Sequence, residues 1–246
     1  MSDDWDFYFC QIDDRPASLF VDLGLHCSAP IAELSDMAWL SLQLLHPGPD
    51  GLTGNEEFDR LNEIEDALAA TDVGDTQLVY VGRSTSGGHR DFLFYTTNGL
   101  KAESRLSAAM VAYPEYGFEV GSRPDADWSV YLEFLYPSDR QRQMILNGRV
   151  LQTLEESGDQ HQIEREVCHW IYFDSQDDRT RFAAEAANKG YKLTDMSDQD
   201  GKHGAQLTGV TAVDYSTINT IVLELFDLAT KFSGEYDGWE TSVEKA

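Results

Sequence analysis

Three basic residues lie close together in one glycine-containing segment of a sequence that is otherwise poor in positive charge. The segment spans residues 82–90, reads GRSTSGGHR and contains Arg83, His89 and Arg90. Clustered basic side chains can bind an anion, so these three residues are the candidate anion-binding site. A phosphate-binding loop also needs a lysine and a following helix, whereas this segment lacks lysine and precedes a predicted strand. The pattern favours a hairpin turn, with a small-ligand loop as the alternative.

Histidine and cysteine, which commonly hold zinc or form nucleophilic sites, have no suitable spacing here. The six histidines and three cysteines contain no CxxC or HxxxH pair. Cys168 and His169 are adjacent, but neighbouring side chains of a strand point to opposite faces, which makes them a poor catalytic pair. The spacing of Asp195, Asp198 and Asp200 does not fit a calcium loop. With GxSxG and the dinucleotide fingerprint also absent, the sequence predicts no metal, no cofactor and no enzyme activity.

The composition is strongly acidic, with 44 Asp and Glu against 18 Lys and Arg and a formal net charge of −26. Residues 1–147 and residues 148–246 are each net negative, so no single tail carries the charge. Phosphate contacts require clustered Lys and Arg, so direct nucleic-acid binding is not expected. A basic protein partner would instead be attracted. Solubility alone, or a salt-adapted source, is the alternative explanation.

Three further features predict a cytoplasmic protein. The N-terminal residues lack the basic start of a signal peptide. No run approaches the roughly 18 apolar residues of a membrane helix, so no membrane contact is expected. Cys10, Cys27 and Cys168 are odd in number and scattered, which is typical of a reducing compartment. The oligomeric state is left open.

A regular helix is predicted near the C-terminus. Apolar residues recur there at helical spacing, at Ile218, Ile221, Val222, Leu225, Leu228, Ala229 and Phe232. Asp214 is the predicted N-cap and Gly234 the predicted left-handed residue that ends the helix. Leu223 and Phe226 lie off the main stripe, which indicates that the helix meets a second surface.

An acidic and aromatic segment, EYDGWET over residues 235–241, follows this helix. It is typical of a last strand or an extended tail, with Tyr236 and Trp239 as its large side chains. Trp239 is either core or an exposed contact, and an exposed Trp would be an interface anchor worth roughly 2 kcal/mol or more. The candidate partner-binding residues are Glu235, Tyr236, Asp237, Trp239, Leu223 and Phe226.

The helix followed by EYDGWET resembles the C-terminal end of the regulator of ribonuclease E activity, family B (RraB). The resemblance covers about residues 165–243 and includes His169 and Gly190-Tyr191. That family consists of small acidic proteins that bind and inhibit ribonuclease E. The resemblance therefore implies a protein partner, ribonuclease E or another basic nuclease, bound without chemistry. This chain departs from the family because it lacks the long acidic tail and carries an additional first domain.

The first part of the chain resembles a bacterial domain family of unknown function (domain of unknown function 695). The resemblance rests on Arg15-Pro16 followed by ASLFVDL, on YVGR at residues 80–83 and on FLYP at residues 134–137. It spans most of residues 3–140 and implies no activity.

Both parts of the chain show the predicted order strand, helix, strand, strand, helix, strand. In the first part these are residues 37–45, 55–70, 77–81, 91–96, 104–112 and one or two strands in 118–136, after a hairpin over residues 5–25. In the second part they are residues 167–173, 175–188, 191–194, 205–213, 214–232 and 235–241. The prediction is an α+β protein of two ferredoxin-like (βαββαβ) units with antiparallel sheets, the first preceded by a β-hairpin.

Residues 1–137 are the predicted uncharacterised α+β domain, residues 138–160 a connecting helix and residues 161–246 the RraB-like domain. The leading hypothesis is a non-catalytic interaction module that covers a basic, RNA-binding part of a nuclease. The alternative is a small-ligand-binding or enzymatic first domain, with the second unit regulatory or oligomerising. A third hypothesis is a scaffold that self-associates through the long helix.

Overall fold

A computed structural model describes residues 2, 4–70, 77–199 and 201–245. The chain divides into two compact units, Met1–Pro137 (unit 1) and Ser138–Ala246 (unit 2). Each unit combines an antiparallel sheet with α-helices, which confirms the predicted α+β class. Asp200, part of the rejected calcium-loop pattern, lies outside the described residues.

Unit 1 is built on a six-stranded sheet in the order β1-β2-β4-β5-β3-β6, in which all neighbouring strands are antiparallel. Its elements are β1 (Trp5–Ile12), β2 (Arg15–Asp22), β3 (Asp36–Gln43), α1 (Phe58–Ala69), β4 (Leu78–Ser86), β5 (His89–Thr96), α2 (Gly99–Ala109) and β6 (Phe118–Pro124). Short 3-10 helices span Leu23–Cys27 and Met110–Ala112, and a π-helix spans Val130–Leu135.

The two helices of unit 1 pack on one face of this sheet. The core there contains apolar residues of both layers, among them Ala38, Leu40, Leu42, Leu61, Ile64, Leu68, Phe92, Phe94 and Leu106. Burial of each large apolar side chain contributes roughly 1.5–3 kcal/mol. On the other face Trp128 stacks on Tyr95 with ring centroids 3.9 Å apart. Both faces of the central strands are therefore covered.

Four details of unit 1 differ from the sequence prediction. Helix α1 begins after Glu57 rather than Asn55, and the Glu57 carboxylate accepts from the Leu45 and His46 amides instead of capping its own helix. Helix α2 begins at Gly99 because Asn98 caps it by accepting from the Lys101 amide. The other two concern the segment after Pro124 and the ends of the strands beside the turn at residues 87–88.

The possible second strand after Pro124 is the π-helix. Asp125 accepts from the amides of Ser129 and Val130, which turns the chain into a helical conformation there. Segment 82–90 is mostly strand, since β4 continues to Ser86 and β5 starts at His89. The turn itself is Gly87-Gly88, where both glycines have positive φ. This is the hairpin turn that the sequence favoured.

Unit 2 is built on a four-stranded antiparallel sheet in the order β10-β7-β9-β8. Its elements are α3 (Asp139–Glu156), β7 (Arg165–Phe173), α4 (Gln176–Asn188), β8 (Lys192–Gln199), β9 (Lys202–Thr211), α5 (Tyr215–Lys231) and β10 (Gly234–Thr241). Helix α3, predicted as a connection between domains, belongs to unit 2, where Leu151 and Leu154 join the core.

Helix α5 supplies much of the unit 2 core. Ile218, Val222 and Leu225 are fully buried against the sheet. Asp214 caps the helix as predicted, by accepting from the Thr217 amide at 3.1 Å. The prediction for Gly234 is wrong, because Ser233 has the positive φ instead. Glycine is needed at 234 for another reason: an added Cβ would lie 2.3 Å from the Phe173 ring.

Candidate functional site

The three basic residues of segment 82–90 do not form one site. His89 is exposed at the start of β5, whereas Arg90 is only 2% exposed. Arg83 is partly buried and faces helix α1. The predicted anion-binding group is therefore divided, and only the two arginines share a partner.

That partner is Glu65 of helix α1. Its carboxylate accepts from the Tyr80 hydroxyl at 2.8 Å and from Arg83 Nε at 2.7 Å. Arg90 Nη1 lies 3.9 Å from the same carboxylate, while its Nε and Nη2 donate to the hydroxyls of Thr85 and Thr53. Burial, together with repulsion from Arg83, lowers the pKa of Arg90 to about 10.

A cavity of about 380 Å³ lies between helix α1 and strands β1, β2 and β4. We call it the aromatic cavity. Its floor is formed by Trp5, Phe20 and Tyr80, with Trp5 stacked on the other two at 5.1 and 5.4 Å. Its charged and polar groups are Asn62, Glu65, Asp66 and Arg83. The Arg83 guanidinium lies 4.9 Å over the Phe20 ring. A second cavity, of about 440 Å³, lies on the opposite sheet face.

Trp239 and Tyr236, two of the predicted partner contacts, lie in the core of unit 2. Trp239 is 8% exposed, and its Nε1 donates to Asn147 Oδ1 at 2.7 Å. The Tyr236 hydroxyl bonds to His169 Nδ1 at 2.8 Å. Burial raises the pKa of Tyr236 and lowers that of His169 to about 4. Buried side chains cannot act as surface contacts in this fold, so the core interpretation of Trp239 is the correct one.

The other predicted contacts of unit 2 are accessible to different degrees. Glu235 and Asp237 of strand β10 are exposed. Leu223 is partly exposed on α5, whereas the partly buried Phe226 packs against the core. Glu235 and Asp237 are therefore the most accessible of the six predicted contacts.

The side of the unit 2 sheet that faces away from the helices has an acidic and aromatic surface. In β7 the residues His169 and Ile171 point to the core, so Cys168, Trp170 and Tyr172 point to the other side. Cross-strand pairing adds carboxylates to this side. We call it the open face and define it by Cys168, Trp170, Tyr172, Asp195, Glu235 and Glu240.

Glycines flank both aromatic rings of the open face. Trp170 pairs with Gly238 on one side, and Tyr172 pairs with Gly204 on the other. No side chain from these positions covers the ring faces. Sequence reasoning missed this surface, although the alternation of Cys168, Trp170 and Tyr172 with buried residues was a signal for it.

Among the residues that the structure describes, no group of three or more His, Cys, Asp and Glu could hold a metal ion. The three cysteines are free. No described helix has the length and apolar character needed to span a bilayer.

A family model described as Family of unknown function (DUF695) matches residues 3–136, which is more than half of the chain. The chain belongs to this family. The matched DUF695 residues contain the whole aromatic cavity. A second family model, Regulator of ribonuclease activity B (RraB), matches residues 144–241. These residues contain the open face. Both resemblances drawn from the sequence are confirmed.

Solved structures with some similarity to this DUF695 chain are too distant to support a conclusion. An unknown protein from Galdieria sulphuraria is 13% identical, with a TM-score of 0.22, over 85% of this chain and 99% of the other. A putative glycine cleavage system transcriptional repressor is 9% identical, with a TM-score of 0.24, over 85% and 98%. No curated protein matches the chain.

Proposed function

We propose that this protein is a non-catalytic, cytoplasmic interaction module that inhibits a ribonuclease by binding it. The match of residues 144–241 to the RraB family carries the proposal. The partner is ribonuclease E or another basic nuclease. The acidic composition favours such a partner, since opposite charges speed the encounter of two proteins and help to select the partner.

The open face is the proposed contact surface of unit 2. Glu235 and Glu240 lie on β10 beside the two half-buried rings of β7, and Asp237 is exposed on the same strand. Carboxylates form strong hydrogen bonds with arginine, and aromatic faces attract its guanidinium by about 0.5–1 kcal/mol at exposed sites. An arginine-bearing segment, as found in RNA-binding regions, is thus a suitable occupant. Covering it would keep RNA away without any chemical step.

Both units are also proposed to be ferredoxin-like. In unit 2 the strand order β10-β7-β9-β8 places the first and third strands of the βαββαβ series at the centre. The order β4-β5-β3-β6 in unit 1 has the same arrangement, extended by the β1–β2 hairpin.

A binding and cleavage assay with purified ribonuclease E tests the function. The full chain should bind the nuclease and slow cleavage of a model RNA, with weaker binding at high salt because screening shortens the range of the attraction. Calorimetry at low salt that detects no binding would refute the proposal.

A matched pair of double variants tests the surface. Glu235→Gln/Glu240→Gln should weaken nuclease binding several-fold, whereas Glu155→Gln/Glu156→Gln removes the same charge from exposed positions of α3 and should change little. Equal losses in both would mean that only overall charge matters and that the open face is not the contact.

A second candidate function belongs to unit 1. The aromatic cavity, with Arg83 in its lining, favours a small-molecule site there. This cavity is the proposed location of the ligand in the predicted alternative, a ligand-binding first domain.

A further inference from the structure

The aromatic cavity has hydrogen-bonding capacity that its own residues do not use. Glu65 is occupied, because its two oxygens accept from Tyr80 and Arg83. Arg83 donates only through Nε, so Nη1 and Nη2 have no hydrogen-bond partner among the described residues. Within the same part of the chain the side chains of Asn62 and Asp66 have none either.

These unused groups have opposite charges and come from different elements. Arg83 projects from strand β4, whereas Asp66 and Asn62 lie four residues apart on one face of helix α1. A ligand in the cavity meets a guanidinium from the sheet and a carboxylate from the helix. A simple cation is disfavoured by Arg83, and a simple anion by the net negative charge of residues 1–147. The charges suit a ligand that carries one group of each sign.

The floor of the cavity suits the rest of such a ligand. Trp5, Phe20 and Tyr80 present aromatic surface, on which a further ring can stack at about 0.5–1.5 kcal/mol beyond its burial. Ala69 has a small side chain and leaves room beside the helix. The volume of about 380 Å³ lies at the low end of the roughly 300–1,000 Å³ of ligand sites, which indicates a small molecule.

We propose that the aromatic cavity binds a small zwitterion with a planar aromatic group, of the chemical class of free aromatic amino acids. The carboxylate pairs with Nη1 and Nη2 of Arg83, the ammonium group with Asp66 and Asn62, and the ring lies on the aromatic floor. This site lies in unit 1 and does not depend on ribonuclease regulation, so either proposal can fail alone.

Calorimetry of the full chain with four probes tests the ligand class. L-phenylalanine carries all three features, whereas phenylpropionate lacks the ammonium group, phenethylamine lacks the carboxylate and L-alanine lacks the ring. L-phenylalanine should bind at least about ten-fold more tightly than each of the others. A charge-assisted hydrogen bond contributes at least that factor against phenylpropionate and phenethylamine, and burial and stacking of the ring contribute it against L-alanine. No binding of L-phenylalanine at millimolar concentration, or equal binding of phenylpropionate, would overturn the proposal.

Variants locate the site. Asp66→Asn should weaken L-phenylalanine binding about ten-fold and leave phenylpropionate unaffected, because only the ammonium partner is lost. Asp59→Asn, an equal charge change at an exposed position of the same helix, should have no effect. Arg83→Lys should weaken both ring-bearing acids. If Arg83→Lys fails to fold, the comparison of Asp66→Asn with Asp59→Asn still tests the site. Equal L-phenylalanine affinities of these two variants would refute it.

Discussion

The two units share the element order strand, helix, strand, strand, helix, strand, but one polar cluster of each unit is built differently. In unit 1 a single carboxylate, Glu65, lies next to two guanidiniums, and Arg90 Nη1 is buried without a hydrogen-bond partner among the described residues. In unit 2 a neutral chain runs from Trp239 through Asn147 to Asn219, with each step a hydrogen bond. The charged cluster borders a cavity, whereas the neutral chain is enclosed by core. The groups left unused beside the cavity support the proposed ligand site, whereas the enclosed chain of amides has a structural role. Elsewhere in unit 2, Asp159 Oδ1, His161 Nε2 and Arg179 Nε are also buried without a hydrogen-bond partner among the described residues.

The largest expected effect is that of Glu65→Ala. It would leave two guanidiniums, one of them fully buried, without their carboxylate, which costs about 3–5 kcal/mol. Hydrogen exchange measured by mass spectrometry should show faster exchange throughout unit 1 and little change in unit 2. Unchanged protection in unit 1 would mean that the charged cluster is not structural.

A pH titration should affect unit 2 through His169. Burial holds its folded pKa at about 4, against 6.5 for an ordinary histidine. Between these values the unfolded state binds a proton that the folded state does not. The stability of unit 2 should therefore fall as pH falls through this window, by up to about 3 kcal/mol, and level off below it.

His169→Gln is the control for this titration. It removes the titrating group, so its stability should depend less on pH over the same window in chemical denaturation. Parallel curves for the variant and the natural protein would show that other groups, mainly carboxylates, cause the dependence.

The neutral chain of unit 2 predicts a smaller effect for Trp239→Phe. The ring stays buried, but Asn147 Oδ1 loses its donor, which costs about 1–3 kcal/mol. Urea denaturation, monitored by hydrogen exchange of the unit 2 amides, measures this loss of stability. If the variant is as stable as the natural protein, the hydrogen bond from Trp239 to Asn147 does not contribute to the stability of unit 2.

The smallest effects should be equal in the two units. The Asn98 side chain caps α2 by accepting a hydrogen bond from the Lys101 amide. The Ser175 hydroxyl caps α4 by accepting one from the Asp177 amide. Asn98→Ala and Ser175→Ala should each cost about 1 kcal/mol in local exchange measurements. A clear inequality would show that the units differ in more than their buried polar groups.

Periodicity and capping rules predicted most of the elements, because they depend on neighbours in the sequence. The alternating strand β7 and the Asp214 cap were predicted in this way. The inward position of Trp239 was not decided, since it depends on Asn147, a residue 92 positions away. The role of Glu65 was missed for a similar reason, because its partners lie on other elements.

Two β-bulges explain the remaining differences between the sequence-based site and the structure. The register of β4 shifts between Tyr80 and Gly82, so Tyr80 and Arg83 both face the helices. The register of β10 shifts between Tyr236 and Gly238, so Tyr236 and Trp239 both face the core. Strict alternation would have put the members of each pair on opposite faces. No local pattern in the sequence revealed either shift.

The bulge at Gly82 also makes the cavity sensitive to the register of β4. Deleting the extra residue, Val81, would restore simple alternation and leave Tyr80 and Arg83 on the same face, because they would then lie two positions apart. Strand β2 leaves no room for a side chain at position 82, because a Cβ at Gly82 would lie 2.4 Å from the Phe20 carbonyl oxygen. Pairing without the bulge at the same strand length would instead turn Arg83 towards the opposite face and take the cation out of the cavity, so the bulge keeps Arg83 in the lining.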